Sequence, residues 1–287
     1  MKRRDWMRLS LAALSAGGRE IAVASDTAVP RLISLSGGMT ETVWALNAGH
    51  LVVATDTTST YPTAAQRTPK VGYMRQLSAE GVLALRPSAV LGTHEIGPPA
   101  VLAQLRAAGI PLALVQATHG FDEVLAKVRA VAAHTGQIEA AQALSNALDR
   151  QWRHALQAIE RTRPSRHAAA PRVLFVMVHG GRPMSAGAGT AAHAMLSHAG
   201  AHNALATDAG YKALSAEAVA LARPDIIVTT EEAIAASGGT NRFWQHPGLA
   251  YTPAARQGRL RVFDAMALLG FGPRTPQALQ DLHRSLA

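Results

Sequence analysis

The sequence predicts an α/β fold of two Rossmann-like lobes with parallel sheets, joined by one long backbone helix, with a ligand cleft between the lobes. Three observations carry that expectation. Continuous apolar runs of strand length recur in two groups, one long amphipathic helix separates the groups, and a segment of the first group repeats in the second.

The first group comprises RLISLSG (31–37), HLVVATD (50–56), PSAVLGT (87–93) and PLALVQA (111–117). These runs are continuous rather than alternating, as expected of strands covered by helices on both faces. Next comes a helix with apolar residues at Ile138, Ala141, Leu144, Leu148, Trp152, Ala155 and Ile159, opened after Gly136 and stopped by Pro164. Steps of three and four place these on one face, and at 1.5 Å per residue the helix reaches roughly 40 Å. That is long for a helix inside one lobe, so it reads as a rigid spacer. The second group is RVLFVMVH (172–179), DIIVTTE (225–231) and RLRVFDA (259–265).

The repeat pairs LSAEGVLALRPSAVLGT (77–93) with LSAEAVALARPDIIVTT (214–230). Ser78 and Ser215 are helix N-caps, Glu80 and Glu217 sit in the first turn where the helix dipole favours an anion, and Arg86-Pro87 or Arg223-Pro224 ends each helix. The division that follows is an export signal at 1–24, an N-terminal lobe at 25–135, the linking helix at 136–164 and a C-terminal lobe at 165–287. The export signal rests on a basic start with the Arg3-Arg4 pair, a short apolar stretch and AVAS at 22–25, with cleavage after Ala24.

Composition removes several chemistries. The chain has 287 residues, 48% hydrophobic and 16% charged, as a packed globular protein requires. It has no cysteine, which excludes disulfides, thiol catalysis and cysteine-held metals. Net charge is +9, but only four of the 28 basic residues are lysines and no long basic run occurs, so no nucleic-acid partner is expected. The charge fits a general attraction to anionic ligands or simply a soluble basic protein.

Candidate sites follow from position. Gly187-x-Gly189-x-x-Ala192, with Asp208 downstream, approximates a dinucleotide fingerprint, so an NAD-linked oxidoreductase is one alternative; the turn does not follow its strand directly. His198 and His202 have the spacing of a helical metal pair, but Gly200 interrupts them and no third ligand is near. His179, which ends a buried strand, and Arg182 after it are candidates for the cleft. Tyr61, on the loop TDTTSTYP after the second strand, reads from spacing alone as a rim tyrosine in a turn.

Taken together, RLISLSGGMTETVWALNAGHLVVATDTTSTYP, VGYMRQLSAEGVLALRP, GYKALSAEAVALARPD and WQHPGLAYTPAARQGRLRVFDAMALLGFGPRTPQAL resemble the periplasmic haem-binding proteins of bacterial ABC haem importers. Those belong with siderophore and cobalamin carriers to a wider class of two-lobed substrate-binding proteins, and the resemblance covers nearly the whole mature chain. It implies a periplasmic, non-enzymatic carrier of ferric haem b, acting as a monomer, that delivers its ligand to an ABC permease dimer. The alternative within the same fold is a ferric-siderophore or cobalamin carrier.

In the haem-binding proteins that the chain resembles, a tyrosine on the loop after the second strand coordinates ferric haem, and Tyr61 is the matching position. A phenolate is a hard anionic ligand suited to Fe(III). Arg75, Arg182 and Arg242 are candidates to support that phenolate or to pair with haem propionates, Arg75 being preferred. Tyr73, Met74, Met184 and Tyr211 are candidate porphyrin walls. His179 is a candidate second ligand, with five-coordinate iron as the base expectation. The resemblance also implies that Glu80 and Glu217 dock the permease, their equivalent placement matching a two-fold partner.

Overall fold

The computed structural model describes residues 29–162 and 170–286. The export signal expected at 1–24 and the helix stop at Pro164 lie outside them.

The first part runs β1 (Leu32–Ser34), α1 (Gly37–Ala45), β2 (Val52–Thr55), α2 (Thr63–Gln66), α3 (Ala79–Leu83), β3 (Ala89–Thr93), α4 (Pro99–Ala107), β4 (Leu112–Val115) and α5 (Phe121–Thr135). Its strands form one parallel sheet in the order β2-β1-β3-β4. From β1 the chain turns to one side for β2, then crosses to the other for β3. The switch point of the sheet therefore lies between the carboxyl ends of β1 and β3, where open α/β sheets bind ligands.

Helix α6 (Ile138–Arg161) follows, about 36 Å long at 1.5 Å per residue. Gly136 ends α5 just before it, in the left-handed region at φ 72°, a conformation that costs glycine little. Of the expected face, Ala141, Leu148, Trp152, Ala155 and Ile159 are buried while Ile138 is exposed. Trp152 stacks on Phe121 at 5.1 Å and takes the edge of His198 at 5.2 Å, so one indole joins the two parts of the chain.

The second part runs β5 (Arg172–His179), β6 (Arg182–Ala186), α7 (Ala191–His198), β7 (His202–Asn203), β8 (Tyr211–Ala213), α8 (Ala216–Ala222), β9 (Ile226–Thr230), α9 (Glu231–Ala236), α10 (Thr240–Trp244), α11 (Pro253–Arg256), β10 (Leu260–Phe263), α12 (Ala265–Leu269) and α13 (Thr275–Ser285). Here the all-parallel expectation is corrected. The order is β10-β9-β5-β6-β8 with β7 beside β5, and β6 runs antiparallel to both β5 and β8. Gly180 and Gly181, at φ 56° and 74°, close a two-residue hairpin between β5 and β6, the turn that a glycine pair favours.

The repeat has the same local build in both parts. The Ser78 hydroxyl accepts from the Gly81 N–H and the Ser215 hydroxyl from the Ala218 N–H. Arg86 and Arg223 both sit at φ 45°. A proline at the next position disfavours the helical region for these arginines and ends each helix.

Segment 264–274 returns from the second sheet onto the first part. Lys127 of α5 donates to Glu123 at 2.6 Å and to the carbonyls of Gly270 and Phe271 at 2.8 and 3.0 Å. Glu41 of α1 accepts from the Arg274 N–H and from its Nε, both at 2.7 Å. A Cβ on Gly38 would lie 1.9 Å from the Gly270 carbonyl oxygen, so this approach requires glycine.

Candidate functional site

A cleft of about 470 Å³ opens between the two sheets, within the range of small-molecule sites. Its first wall holds Ser36, Thr58, Tyr73, Met74, Arg75 and Thr93, at or after the strand ends of the parallel sheet. Met177, His179, Met184, Thr190 and Tyr211 face them, and Met266, Leu269 and Gly270 of the returning segment complete the enclosure. Strand alternation explains the second wall: Met177 and His179 of β5 face the cleft, while Val176 and Val178 line a depression of about 280 Å³ elsewhere.

The TDTTSTYP loop is held by its own polar residues. Asp56 is fully buried, and its carboxylate accepts from the Ser36 N–H at 3.1 Å, the Ser59 hydroxyl at 2.7 Å, and the N–H and hydroxyl of Thr58 at 3.0 and 2.5 Å. Thr58 in turn accepts from the Gly37 N–H at 3.1 Å. Lys70 bridges Thr55, Ser59 and Ala65 with donations of 2.6 to 3.1 Å. The small hydroxyl and acid residues thus fix the loop to α1.

Thr58 lines the cleft, and Tyr61, three residues on, stands outside the lining with 45% of its surface exposed. The Arg274 guanidinium lies 3.9 Å from the centre of its ring, a cation–π contact. The sequence reading missed Arg274, which the returning segment delivers with Glu41 holding it in place. GFGPR carries the only local signal, glycines that allow close approach.

The expected residues separate into two groups. Tyr73, Met74, Arg75, His179, Met184 and Tyr211 come together in the cleft. Arg75 pairs with Glu95 and donates to the Tyr73 hydroxyl at 3.2 Å. The His179 ring lies 5.8 Å from that of Tyr73, across the cleft. Burial pushes the Tyr211 phenol up to about 12, against smaller opposing effects from the Ala192 backbone and Arg75. That phenol is therefore a neutral wall.

Two expected arginines lie elsewhere. Arg242, on α10, lines the 280 Å³ depression with Val176 and Val178, and strand alternation turns that face away from the cleft. Arg182 pairs with His179 at the hairpin end and is exposed beyond the lining. Glu80 and Glu217 are exposed in the first turns of α3 and α8, with no ion pair to either among the described residues.

The nucleotide fingerprint has a structural explanation. A Cβ on Gly187 would lie 2.1 Å from the Asp208 carbonyl oxygen, and the Ala188 N–H donates to that oxygen at 2.6 Å. The turn follows β6, an antiparallel strand, whereas a dinucleotide turn follows a parallel one. His198 ends α7 and packs on Trp152, His202 begins β7, and no group of three metal-ligating side chains occurs among the described residues.

A family model described as "Periplasmic binding protein" matches residues 32–267. Among solved structures, the periplasmic haem-binding protein BhuT in complex with two haems is 44% identical, with a TM-score of 0.82 over 90% of this chain and 97% of that one. The periplasmic haem-binding protein RhuT from Roseiflexus sp. RS-1, in apo form, is 37% identical, with a TM-score of 0.83 over 90% of this chain and 98% of that one. A cobalamin-binding protein of Halobacterium salinarum is 32% identical over 72% of this chain, which spans 56% of that relative's length. No helix among the described residues is long and apolar enough to cross a membrane.

Proposed function

The chain belongs to the periplasmic binding protein family, and on that basis we propose that it captures ferric haem in the cleft, with Tyr61 as the axial ligand, and delivers it to an ABC permease. The observation that carries this reading is Tyr61 itself. It is an exposed phenol on a loop fixed by Asp56, beside the cleft, with a guanidinium stacked on its ring. Phenolate is a hard donor matched to Fe(III), and tyrosine is an established haem ligand type. Tyr73, Met74, Met184 and Tyr211 supply the apolar and aromatic surface that a porphyrin face needs.

A cobalamin carrier is the second reading, favoured by the Halobacterium relative; it leaves Tyr61 without a metal to bind. Titrating the purified protein with ferric haem and, separately, with cyanocobalamin, each followed by visible spectroscopy, separates the two. The expected result is a saturable ferric tyrosinate spectrum with haem and no saturable change with cobalamin. The reverse pattern would replace haem by a corrinoid.

Delivery assigns Glu80 and Glu217 to the permease. Each is exposed on a serine-capped helix of the repeat, so the two offer equivalent acidic points to a two-fold partner. Reversing both charges (Glu80→Arg with Glu217→Arg) is expected to leave haem titration unchanged and to abolish transport into vesicles containing the permease. Transport at the wild-type rate would remove both residues from docking.

A further inference from the structure

We propose that a pocket between α8 and α11, beside Glu217, receives an acidic side chain of the permease; this rests on the reading of Glu217 as a docking residue. The pocket holds about 550 Å³ and shares no lining residue with the cleft. One wall is a face of α8, where Ala216, Ala220 and Arg223 follow one another at steps of four and three. Tyr251, Pro253 and Arg256 line the other.

The two walls are tied together. The Ala254 N–H donates to the Pro224 carbonyl at 3.1 Å. Thr252 caps α11 by accepting from the Ala255 N–H at 3.0 Å, and its hydroxyl donates to the Leu249 carbonyl at 2.8 Å. Gly248 packs on the start of α8, since a Cβ there would lie 3.4 Å from the Ala216 Cα. The pocket is thus formed without a partner, which lowers the ordering cost of binding one.

Two arginines and no acid line it. Arg223 is exposed at the C-cap of α8, and its side chain makes no hydrogen bond or ion pair among the described residues. Arg256 is also exposed, and its guanidinium donates to the Tyr251 carbonyl at 3.0 Å with no acid beside it among the described residues. Elsewhere the fold treats such groups differently: Arg75 is held by Glu95 and Arg274 by Glu41. A concave site with two uncompensated guanidinium groups favours an anion.

Glu217 decides what kind of anion. It is exposed, one position after Ala216, and Leu221, 77% exposed, follows it by one turn, so an acid and an apolar side chain run along α8 beside the pocket wall. Tyr251, on the opposite wall, is 85% exposed. An anionic lipid surface or a free phosphate would be drawn by the arginines and repelled by Glu217. A protein surface can answer both signs, with a cation for Glu217 and a carboxylate for Arg223 and Arg256, and can cover Leu221 and Tyr251 as well. Tyrosine and arginine are also enriched among the residues that carry protein interfaces.

The test measures docking of the full protein to the ABC permease in liposomes of neutral lipid, for wild type, Arg223→Glu with Arg256→Glu, Ala220→Trp and Glu217→Arg. Permease-free liposomes containing phosphatidylglycerol are run beside them. The arginine reversal is expected to weaken docking by at least about ten-fold, and Ala220→Trp, which fills the pocket without changing a charge, by a similar factor. Haem titration and melting temperature should stay close to wild type, since all four positions are exposed and lie outside the cleft. Wild-type docking by the arginine reversal or by Ala220→Trp, with Glu217→Arg weakened, would overturn the pocket and leave the docking acid in place. Wild-type docking by every variant would remove both. Weakening by the pocket variants alone would keep the pocket and remove Glu217 from docking. Binding of wild type to the permease-free liposomes that the arginine reversal abolishes would overturn the protein partner and assign the pocket to lipid headgroups.

Discussion

Replacing Tyr61 by phenylalanine is expected to abolish the ferric tyrosinate spectrum and to weaken haem binding by about a hundred-fold, equivalent to roughly 2.7 kcal/mol. Phenylalanine is the informative substitution because it removes only the donor oxygen. The ring stays available to the Arg274 guanidinium at 3.9 Å, and a cation–π contact is worth about 0.5–1 kcal/mol at exposed sites. Among the described residues no hydrogen bond runs through the phenol oxygen, which is on an exposed side chain, so thermal stability is expected to remain that of wild type. Arg274→Ala would be a poorer probe. It strips Glu41, which is only 4% exposed, of the Nε donation and the ion pair while keeping the backbone N–H of residue 274, so folding and binding would change together. A tyrosinate-type spectrum that survives Tyr61→Phe would hand the iron to another residue. His179, across the cleft against Tyr73, would then be the next to substitute.

The sequence carried the parallel sheet and the linking helix because both rest on local patterns: continuous apolar runs for β1 to β5, β9 and β10, and a face repeating every three or four residues for α6. It did not show β6 and β8. Strand β6 is only RPMSA with a proline at its second residue, and its register follows from the Gly180-Gly181 turn rather than from an apolar run. The missed turn also explains the misplaced Arg182, which the hairpin carries to an exposed end. At the site, the ligand role proposed for Tyr61 came through the family resemblance, since its position after β2 alone reads as a rim tyrosine in a turn. Arg274 was not legible, because it reaches Tyr61 by a close backbone approach of Gly38 to Gly270, and no local pattern reports contacts between distant segments. The polarity of TDTTST, which from spacing alone reads as an ordinary turn, is explained by the network that closes on Asp56.

Lys127 sets the stability of the same approach. Its ammonium is 1% exposed and is satisfied by the Glu123 carboxylate and the carbonyls of Gly270 and Phe271. Lys127→Met is expected to cost about 3–5 kcal/mol, read as a lower midpoint in urea, because it leaves Glu123 buried with its charge uncompensated and two carbonyls without their donor. The double variant Lys127→Met with Glu123→Gln should recover part of that loss, since the stranded charge is gone while the carbonyls remain unpaired. Burial depresses the lysine's hold on its proton more than Glu123 restores it. The unfolded chain therefore binds that proton more tightly than the folded one, and this residue's contribution to stability rises with pH toward the ordinary lysine value of about 10.4 and falls as pH drops through the lower folded value. Lys127→Met should accordingly flatten the rise of stability with pH on the alkaline side relative to wild type. A loss below about 1 kcal/mol would mean that the returning segment is held chiefly by Arg274 on Glu41 and by the Gly38 contact. A full loss would make Lys127 the group that keeps Met266, Leu269 and Arg274 against the cleft, and so couples the stability of the fold to the shape of its binding site.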